Sequence, residues 1–131
     1  MDTQTAFDIV LNHLWHQNAP AWDKGSQQCW YRHGENGTRC AIGCLIPDDL
    51  YRPTMEGRGV YELLHVFPEL KELPPFKALD VGHDRPLHVA LQQMHDDLAA
   101  GYPELFRANL YDNALDLAHD YGLTVNLPKE E

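Results

Sequence analysis

Hydrophobic residues recur at helical spacing in several stretches of the chain. The apolar positions between residues 3 and 17 are Phe7, Val10, Leu11 and Leu14. Residues three or four apart lie on one face of a helix, so this pattern predicts an amphipathic helix with Thr3 or Thr5 as N-cap. Similar spacing predicts further helices at residues 60–66, 84–100 and 103–121. Asp84 is the predicted N-cap of the helix at residues 84–100.

A different pattern lies between the first two predicted helices. Two β-prone runs, at residues 29–33 and 39–46, flank a segment that contains Asn36-Gly37. Both of these residues tolerate a positive φ, and the pair is typical of a two-residue hairpin turn. The sequence therefore predicts a β-hairpin whose turn is Asn36-Gly37.

Breaker residues separate these elements. Glycine and proline predict a loop at residues 18–28 and a broken region from Pro68 to Gly82. Two strands alone are marginal in water and need a cover of helices. The predicted fold is therefore α+β and mostly α: four helices packed on one β-hairpin, a two-stranded antiparallel sheet, in a single domain of residues 1–131.

The charge balance is strongly acidic. Ten Lys and Arg residues stand against twenty Asp and Glu, which gives a formal net charge of −10. A nucleic-acid backbone would be repelled by this charge, so direct binding of DNA or RNA is disfavoured. The same charge favours a protein partner with a basic surface, although acidity also serves solubility alone.

The cysteine count and hydropathy pattern bear on location. Three cysteines leave an odd thiol, which suits a reducing compartment better than a disulfide scaffold. The first residues, Met1 to Thr5, have no basic or apolar signal character, and no run of about 18 apolar residues occurs. We expect a cytoplasmic protein without a membrane segment.

Cys29, His33, Cys40 and Cys44 form the densest group of metal-ligand residue types. In the predicted hairpin His33 lies opposite Cys40 and Cys29 opposite Cys44, which places the two pairs roughly 13 Å apart, too far for one zinc ion. We therefore expect no metal site and no cofactor. The thiols are expected to act as small buried hydrophobes; the alternative makes Cys40 a nucleophile with His33 as its base.

Three His-Asp dipeptides provide a second candidate chemistry. They occur at His83-Asp84, His95-Asp96 and His119-Asp120. All-helical metal phosphohydrolases use such pairs, but the excess over chance for this composition is modest. Asp84 is explained as a helix cap, and the other aspartates as solvated helix faces.

Acidic residues are concentrated in the last two predicted helices. The candidate binding residues there are Asp96, Asp97, Glu104, Asp112, Asp116 and Asp120. A focused negative field speeds encounter with a basic partner more than the same charge dispersed. If this acidity serves only solubility, the interface is expected around the aromatic residues Trp15, Trp22 and Tyr51.

Part of the chain resembles a known family. The residues that carry the resemblance are Cys29-Trp30-Tyr31-Arg32, the run from Gly37 to Tyr51 that contains Cys40-Ala41-Ile42-Gly43-Cys44-Leu45-Ile46-Pro47-Asp48, and Met55-Glu56-Gly57. Over about thirty residues they resemble a family of small bacterial and phage proteins of uncharacterised activity. The resemblance implies a small accessory protein of the kind carried by mobile elements, and it assigns no catalytic residue.

Taken together, these patterns favour a binding protein over an enzyme. The leading hypothesis is a non-enzymatic protein-binding modulator, such as a phage or mobile-element inhibitor of a host protein, because the chain is small and acidic and has no catalytic motif. The alternative is a cysteine- or metal-dependent hydrolase that uses Cys40 and His33 or the His-Asp pairs.

Overall fold

A computed structural model describes residues 1–128, so the last three residues of the predicted domain lie outside the described part. The described chain is α+β and mostly α, as predicted. Its helices are α1 (Thr3–Gln17), α2 (Val60–Val66), α3 (Pro74–Leu79), α4 (Leu87–Ala99) and α5 (Phe106–Tyr121), and its strands are β1 (Trp22–Asp23) and β2 (Gln28–Cys29). Shorter 3-10 turns cover Gly43–Leu45, Pro53–Met55, Pro68–Glu72 and Pro103–Leu105.

The four predicted helices are confirmed, with corrections at their ends. The N-cap of α1 is Asp2, whose carboxylate accepts a hydrogen bond from the Thr5 N–H at 2.7 Å, and not Thr3 or Thr5. Helix α4 begins at Leu87, and its N-cap is Pro86, whose ψ of 149° is extended. The predicted N-cap, Asp84, lies outside the helix.

Helix α3 lies in the region predicted to be broken. Pro74 and Pro75 occupy its first turn, where the absent backbone N–H has no helical partner to lose. The prolines therefore start a helix here and do not prevent one.

Helix α1 is the centre of the hydrophobic core. Its apolar face is fully buried at Phe7, Val10, Leu11 and Leu14, and the helix packs against α3 and α5 while α4 packs against α5. No helix within residues 1–128 is long and apolar enough to cross a bilayer.

The sheet is a hairpin, but its position was predicted wrongly. Strands β1 and β2 pair Trp22 with Cys29 and Asp23 with Gln28, so all of the hairpin except Cys29 lies in the predicted loop. The carboxylate of Asp23 closes the turn by accepting bonds from the N–H and hydroxyl of Ser26, at 2.8 and 2.7 Å. Aspartate side chains commonly stabilise turns by accepting such local hydrogen bonds.

The predicted hairpin around Asn36-Gly37 is reduced to one bridge, between Arg32 and Arg39. The His33 N–H donates to the Thr38 carbonyl at 2.8 Å, so the loop holds four residues and not two. Side chains of α1 account for the missing ladder: Gln17 bonds both the N–H and the carbonyl of Arg39, at 2.8 and 2.9 Å. Because the backbone N–H and carbonyl of Arg39 already have hydrogen-bond partners on α1, they do not require partners on a neighbouring strand.

Residues 39–46 consequently turn instead of running as a strand. Gly43 begins a 3-10 turn, and a Cβ atom placed on it would lie 1.9 Å from the Tyr31 carbonyl oxygen. Only glycine permits this contact. The backbone of Tyr31 therefore lies directly against Gly43.

Candidate functional site

The predicted pairing of Cys40 with His33 does not form. Cys40 is fully buried, and its sulfur accepts a bond from the Gly43 N–H at 3.2 Å. Burial raises the pKa of the Cys40 thiol well above its ordinary value. A nucleophile needs an accessible thiolate, so the environment of Cys40 is that of a structural cysteine.

His33 is engaged with a residue outside the predicted pair. Its Nε2 lies 2.9 Å from the Asp23 carboxylate, the same carboxylate that closes the β1–β2 turn. Its Nδ1 is buried without a hydrogen-bond partner among the described residues. The contact ties the loop after β2 to the hairpin, and it directs the imidazole away from the role of a base for Cys40.

The structure instead brings Cys29 to the His95-Asp96 pair. Strand β2 supplies Cys29 and helix α4 supplies the other two, and one potential ligand atom from each lies within 4.8 Å of the others. Sequence reasoning missed this cluster, because 66 residues separate Cys29 from His95 and no local spacing reports such a contact.

The hydrogen bonds of His95 decide what this cluster can do. The backbone N–H of Ala21 donates to His95 Nε2 at 3.0 Å, so this nitrogen carries the lone pair. Nδ1 then holds the proton of the neutral ring and donates to Asp96 Oδ1 at 3.2 Å. Both nitrogens are occupied, and a metal ion would have to displace one of these bonds.

The thiol of Cys29 is poorly suited to attack a substrate. Burial, with the Asp96 carboxylate beside it, raises the pKa of Cys29 far above its ordinary value. The neutral thiol is a weak nucleophile. The cluster is therefore best described as a polar contact that fastens β2 to α4.

Beside this cluster is a shallow groove of about 210 Å³. It is lined by Gln28, Cys29, Tyr31, Gly57, Arg58, Gly59, Gln92 and Asp96. The Tyr31 hydroxyl donates to the Arg58 carbonyl at 2.7 Å, which ties the two walls of the groove together.

Glu56 holds the segments that carry the family resemblance. Its carboxylate accepts bonds from the N–H groups of Tyr31 and Arg32, at 2.7 and 3.0 Å, and from the Tyr51 hydroxyl at 2.6 Å. The guanidinium of Arg32 stacks over the Tyr51 ring at 4.6 Å and pairs with Asp48 at 2.9 Å. These residues bond one another, so their pattern is explained by folding without a catalytic role.

The six predicted acidic residues are only partly brought together. Asp97 on α4 and Asp116 and Asp120 on α5 line one groove of about 310 Å³ between the two helices, which we call the α4–α5 groove. Asp112 lies one turn before Asp116 on α5 and is exposed, although it does not line the groove. The three carboxylates of the groove come from two helices, one from α4 and two from α5, and converge there because α4 and α5 pack side by side.

The remaining two acidic residues lie elsewhere. Asp96 faces the Cys29 cluster, because consecutive helical residues point about 100° apart and so away from the direction of Asp97. Glu104 lies in the 3-10 turn that precedes α5. Sequence reasoning grouped them by proximity along the chain, which does not separate faces of a helix.

Apolar, amide and cationic side chains also line the α4–α5 groove. Ala90, Met94 and Leu117 supply buried apolar surface. The Gln93 amide donates to Asp97 Oδ1 at 2.9 Å and so orients that carboxylate. Arg85 is the one cation among the lining residues. The groove thus offers carboxylate oxygens above an apolar strip.

The aromatic alternative is mostly inaccessible. Trp15 is 6 % exposed and lies beneath the Arg107 guanidinium, 5.1 Å from its ring centroid. Tyr51 is half-buried against Arg32 and Glu56. Trp22 is 38 % exposed and is the one of these three aromatics with substantial free surface.

Comparison of this chain with protein-family models, with curated proteins and with solved structures finds no match.

Proposed function

We propose that the protein is a non-enzymatic binding protein whose α4–α5 groove receives a basic side chain of a protein partner. The observation that supports this function is the convergence of Asp97, Asp116 and Asp120 on one groove with an apolar floor. An arginine or lysine side chain has the complementary form, with an apolar stem and a cationic head.

The contacts expected in the complex follow from this form. The aliphatic stem of the partner's side chain packs on Met94 and Leu117, while its cationic head bonds the carboxylates of Asp116 and Asp120. Charge-assisted bonds to a planar guanidinium are the stronger and more directional kind, so arginine is preferred over lysine.

The charge of the whole chain supports the same function. A net charge of −10 attracts a basic surface over a distance, and the groove then provides a specific contact at short range. We further propose that the partner is a host protein that this chain modulates, in the reducing cytoplasm, as the resemblance to phage and bacterial accessory proteins implies. The three free cysteines are compatible with that compartment.

The test is affinity capture with two charge-matched variants. The groove variant combines Asp97→Asn, Asp116→Asn and Asp120→Asn. The control variant combines Glu35→Gln, Asp49→Asn and Glu69→Gln, three exposed carboxylates outside the groove. Each variant removes three negative charges, so the two differ only in where the charge is lost.

A tagged protein is used to capture partners from a lysate of the host cell. We expect one protein with a basic surface to be retained by the wild type and the control variant and lost from the groove variant. Equal retention by both variants, or equal loss from both, would show that the groove has no specific role in binding.

A further inference from the structure

A second cavity lies among α2, α3 and the first turn of α4, and it shares no lining residue with the α4–α5 groove. Its volume is about 330 Å³, within the lower part of the range of small-molecule sites. The lining residues are Tyr61, Leu64, Lys71, Phe76, Lys77, Asp80, Pro86 and His88.

Apolar and charged side chains both line the cavity. Leu64 and Phe76 are buried, and the ring of Tyr61, which is 62 % exposed, stands at the opening. Lys71, Lys77 and Asp80 are exposed around it. This division suits a ligand with a flat apolar body and one charged group.

His88 is a buried polar side chain without a hydrogen bond. The residue is 3 % exposed, and its Nδ1 has no partner among the described residues. Its Nε2 lies 3.8 Å from the nearest Asp80 carboxylate oxygen, beyond hydrogen-bond distance. Burial lowers the pKa of His88, against the opposing effect of Asp80, so the ring is neutral near pH 7. A neutral imidazole can donate one hydrogen bond and accept another.

The beginning of α4 adds a preference for an anion. Its N-cap is Pro86, which has no side chain able to accept a bond, and its first turn contains no acidic residue. The N–H groups of Leu87 and Val89 already bond the carbonyls of Val81 and Pro86, so it is the dipole of this 13-residue helix that favours negative charge at the cavity.

The two lysines at the edge are not equivalent. Lys77 pairs with Glu72 at 3.2 Å, whereas Lys71 makes no ion pair within the part of the chain that the structure describes. Asp80 opposes an anion but is largely exposed to water, which screens its charge. Lys71 is therefore the cation best placed to pair with a ligand.

We propose that this cavity binds a small aromatic carboxylate. Its ring packs on Phe76, Leu64 and Tyr61, its carboxylate pairs with Lys71, and His88 bonds the ligand through Nε2, whose nearest charged neighbour, the Asp80 carboxylate, lies 3.8 Å away. The site is separate from the α4–α5 groove, and binding there does not depend on the proposed function.

The test is a titration with benzoate, followed by nuclear magnetic resonance of the labelled full chain. We expect saturable shifts in the ring signals of His88 and the side-chain signals of Lys71. Acetate and inorganic phosphate, titrated in parallel, have no aromatic ring and are expected to bind at least about tenfold more weakly, since the buried ring supplies much of the affinity.

Three surface variants separate the cavity from general charge effects. Lys71→Gln removes the predicted ion pair and should weaken benzoate binding about tenfold. Asp80→Asn removes a negative charge that repels the carboxylate of benzoate, and should strengthen benzoate binding. Lys24→Gln, in the turn between β1 and β2, removes the same charge elsewhere and should leave binding unchanged.

Each contrary result has a definite meaning. Absence of a saturable shift with benzoate overturns the proposal, as does equal binding of acetate or phosphate, because the apolar interior would then contribute nothing. Equal weakening by Lys71→Gln and Lys24→Gln also overturns it, because the effect would then come from net charge and not from the cavity.

Discussion

The backbone N–H of Ala21 donates a hydrogen bond to Nε2 of His95 across 3.0 Å, and both residues are fully buried. This bond fastens the segment after α1 to α4, 74 residues further along the chain. It also sets the tautomer of His95, which places the ring proton on Nδ1 and directs it to Asp96. The sequence alone allows His95 to be a metal ligand or a base, but both of its ring nitrogens make hydrogen bonds that stabilise the fold.

Replacing His95 by alanine should therefore lower stability. The variant leaves the Ala21 N–H unpaired in the interior and creates a cavity, and we expect a loss of about 2 to 4 kcal/mol in the free energy of unfolding. Urea denaturation measures this loss. The control is His119→Ala, an exposed position on α5, which should change stability by less than about 0.5 kcal/mol. A loss as small for His95 as for His119 would contradict the assigned bond.

Glu56 offers a test of the structural interpretation of the resembling segments. Glu56→Gln presents an amide where the carboxylate accepted bonds from Tyr31, Arg32 and Tyr51, and should cost about 2 to 3 kcal/mol. Glu62→Gln, by contrast, breaks an exposed pair with Arg58 and should cost less than about 0.5 kcal/mol. Thermal unfolding of both variants checks the difference, and equal midpoints would show that Glu56 does not hold these segments.

Gly43 tests the contact that replaced the predicted strand. Gly43→Ala places a methyl group 1.9 Å from the Tyr31 carbonyl oxygen, so the backbone must move. We expect a loss of at least about 2 kcal/mol. Gly34→Ala is the matched control, since no atom lies within 4 Å of its added methyl group. If both glycine variants unfold alike in urea, then residues 39–46 do not follow the described path.

The buried thiols predict how stability depends on pH. Burial raises the pKa of Cys44 to about 12, and it also raises the pKa values of Cys29 and Cys40 well above their ordinary range. In the unfolded chain these thiols ionise near pH 8.5. Below that pH both states hold the proton, so the thiols do not affect the pH dependence. Above it only the unfolded state releases protons, so stability falls as pH rises.

Urea denaturation between about pH 7 and 10 measures this effect. Each such thiol contributes a slope of up to about 1.4 kcal/mol per pH unit. Cys44→Ala should remove one such contribution and leave a shallower decline. Stability that is flat across this range, or a slope that Cys44→Ala leaves unchanged, would show that the thiols ionise freely in the folded protein.

The parts of the fold that sequence predicted correctly are those that depend on local periodicity. The apolar spacing of Phe7, Val10 and Leu14 reports one helix face, and it located α1 to its end residues. Helix α3 was missed because Pro74 and Pro75 were interpreted as breakers, although a first helical turn accepts proline.

The errors in the hairpin and the site arise from contacts distant in sequence. The side chain of Gln17 makes hydrogen bonds with the backbone N–H and carbonyl of Arg39, and nothing in the sequence of residues 39–46 predicts these bonds. The meeting of Cys29 with His95 likewise depends on how β2 packs on α4. The sequence shows that α5 is acidic. It does not show that Asp96 and Asp97 line different grooves, because that depends on how α4 is oriented in the fold.

The central claim is that the acidity of the α4–α5 groove guides and holds a basic partner. The most direct measurement is the association rate constant of the captured partner with this protein as salt is raised from about 0.01 to 0.15 M, which shortens the Debye length from about 30 to 8 Å. We predict a fall of about tenfold or more, and a similar fall at low salt for Asp116→Asn with Asp120→Asn but not for Glu35→Gln with Asp49→Asn. A rate constant that is independent of salt and equal for both double variants would contradict the account.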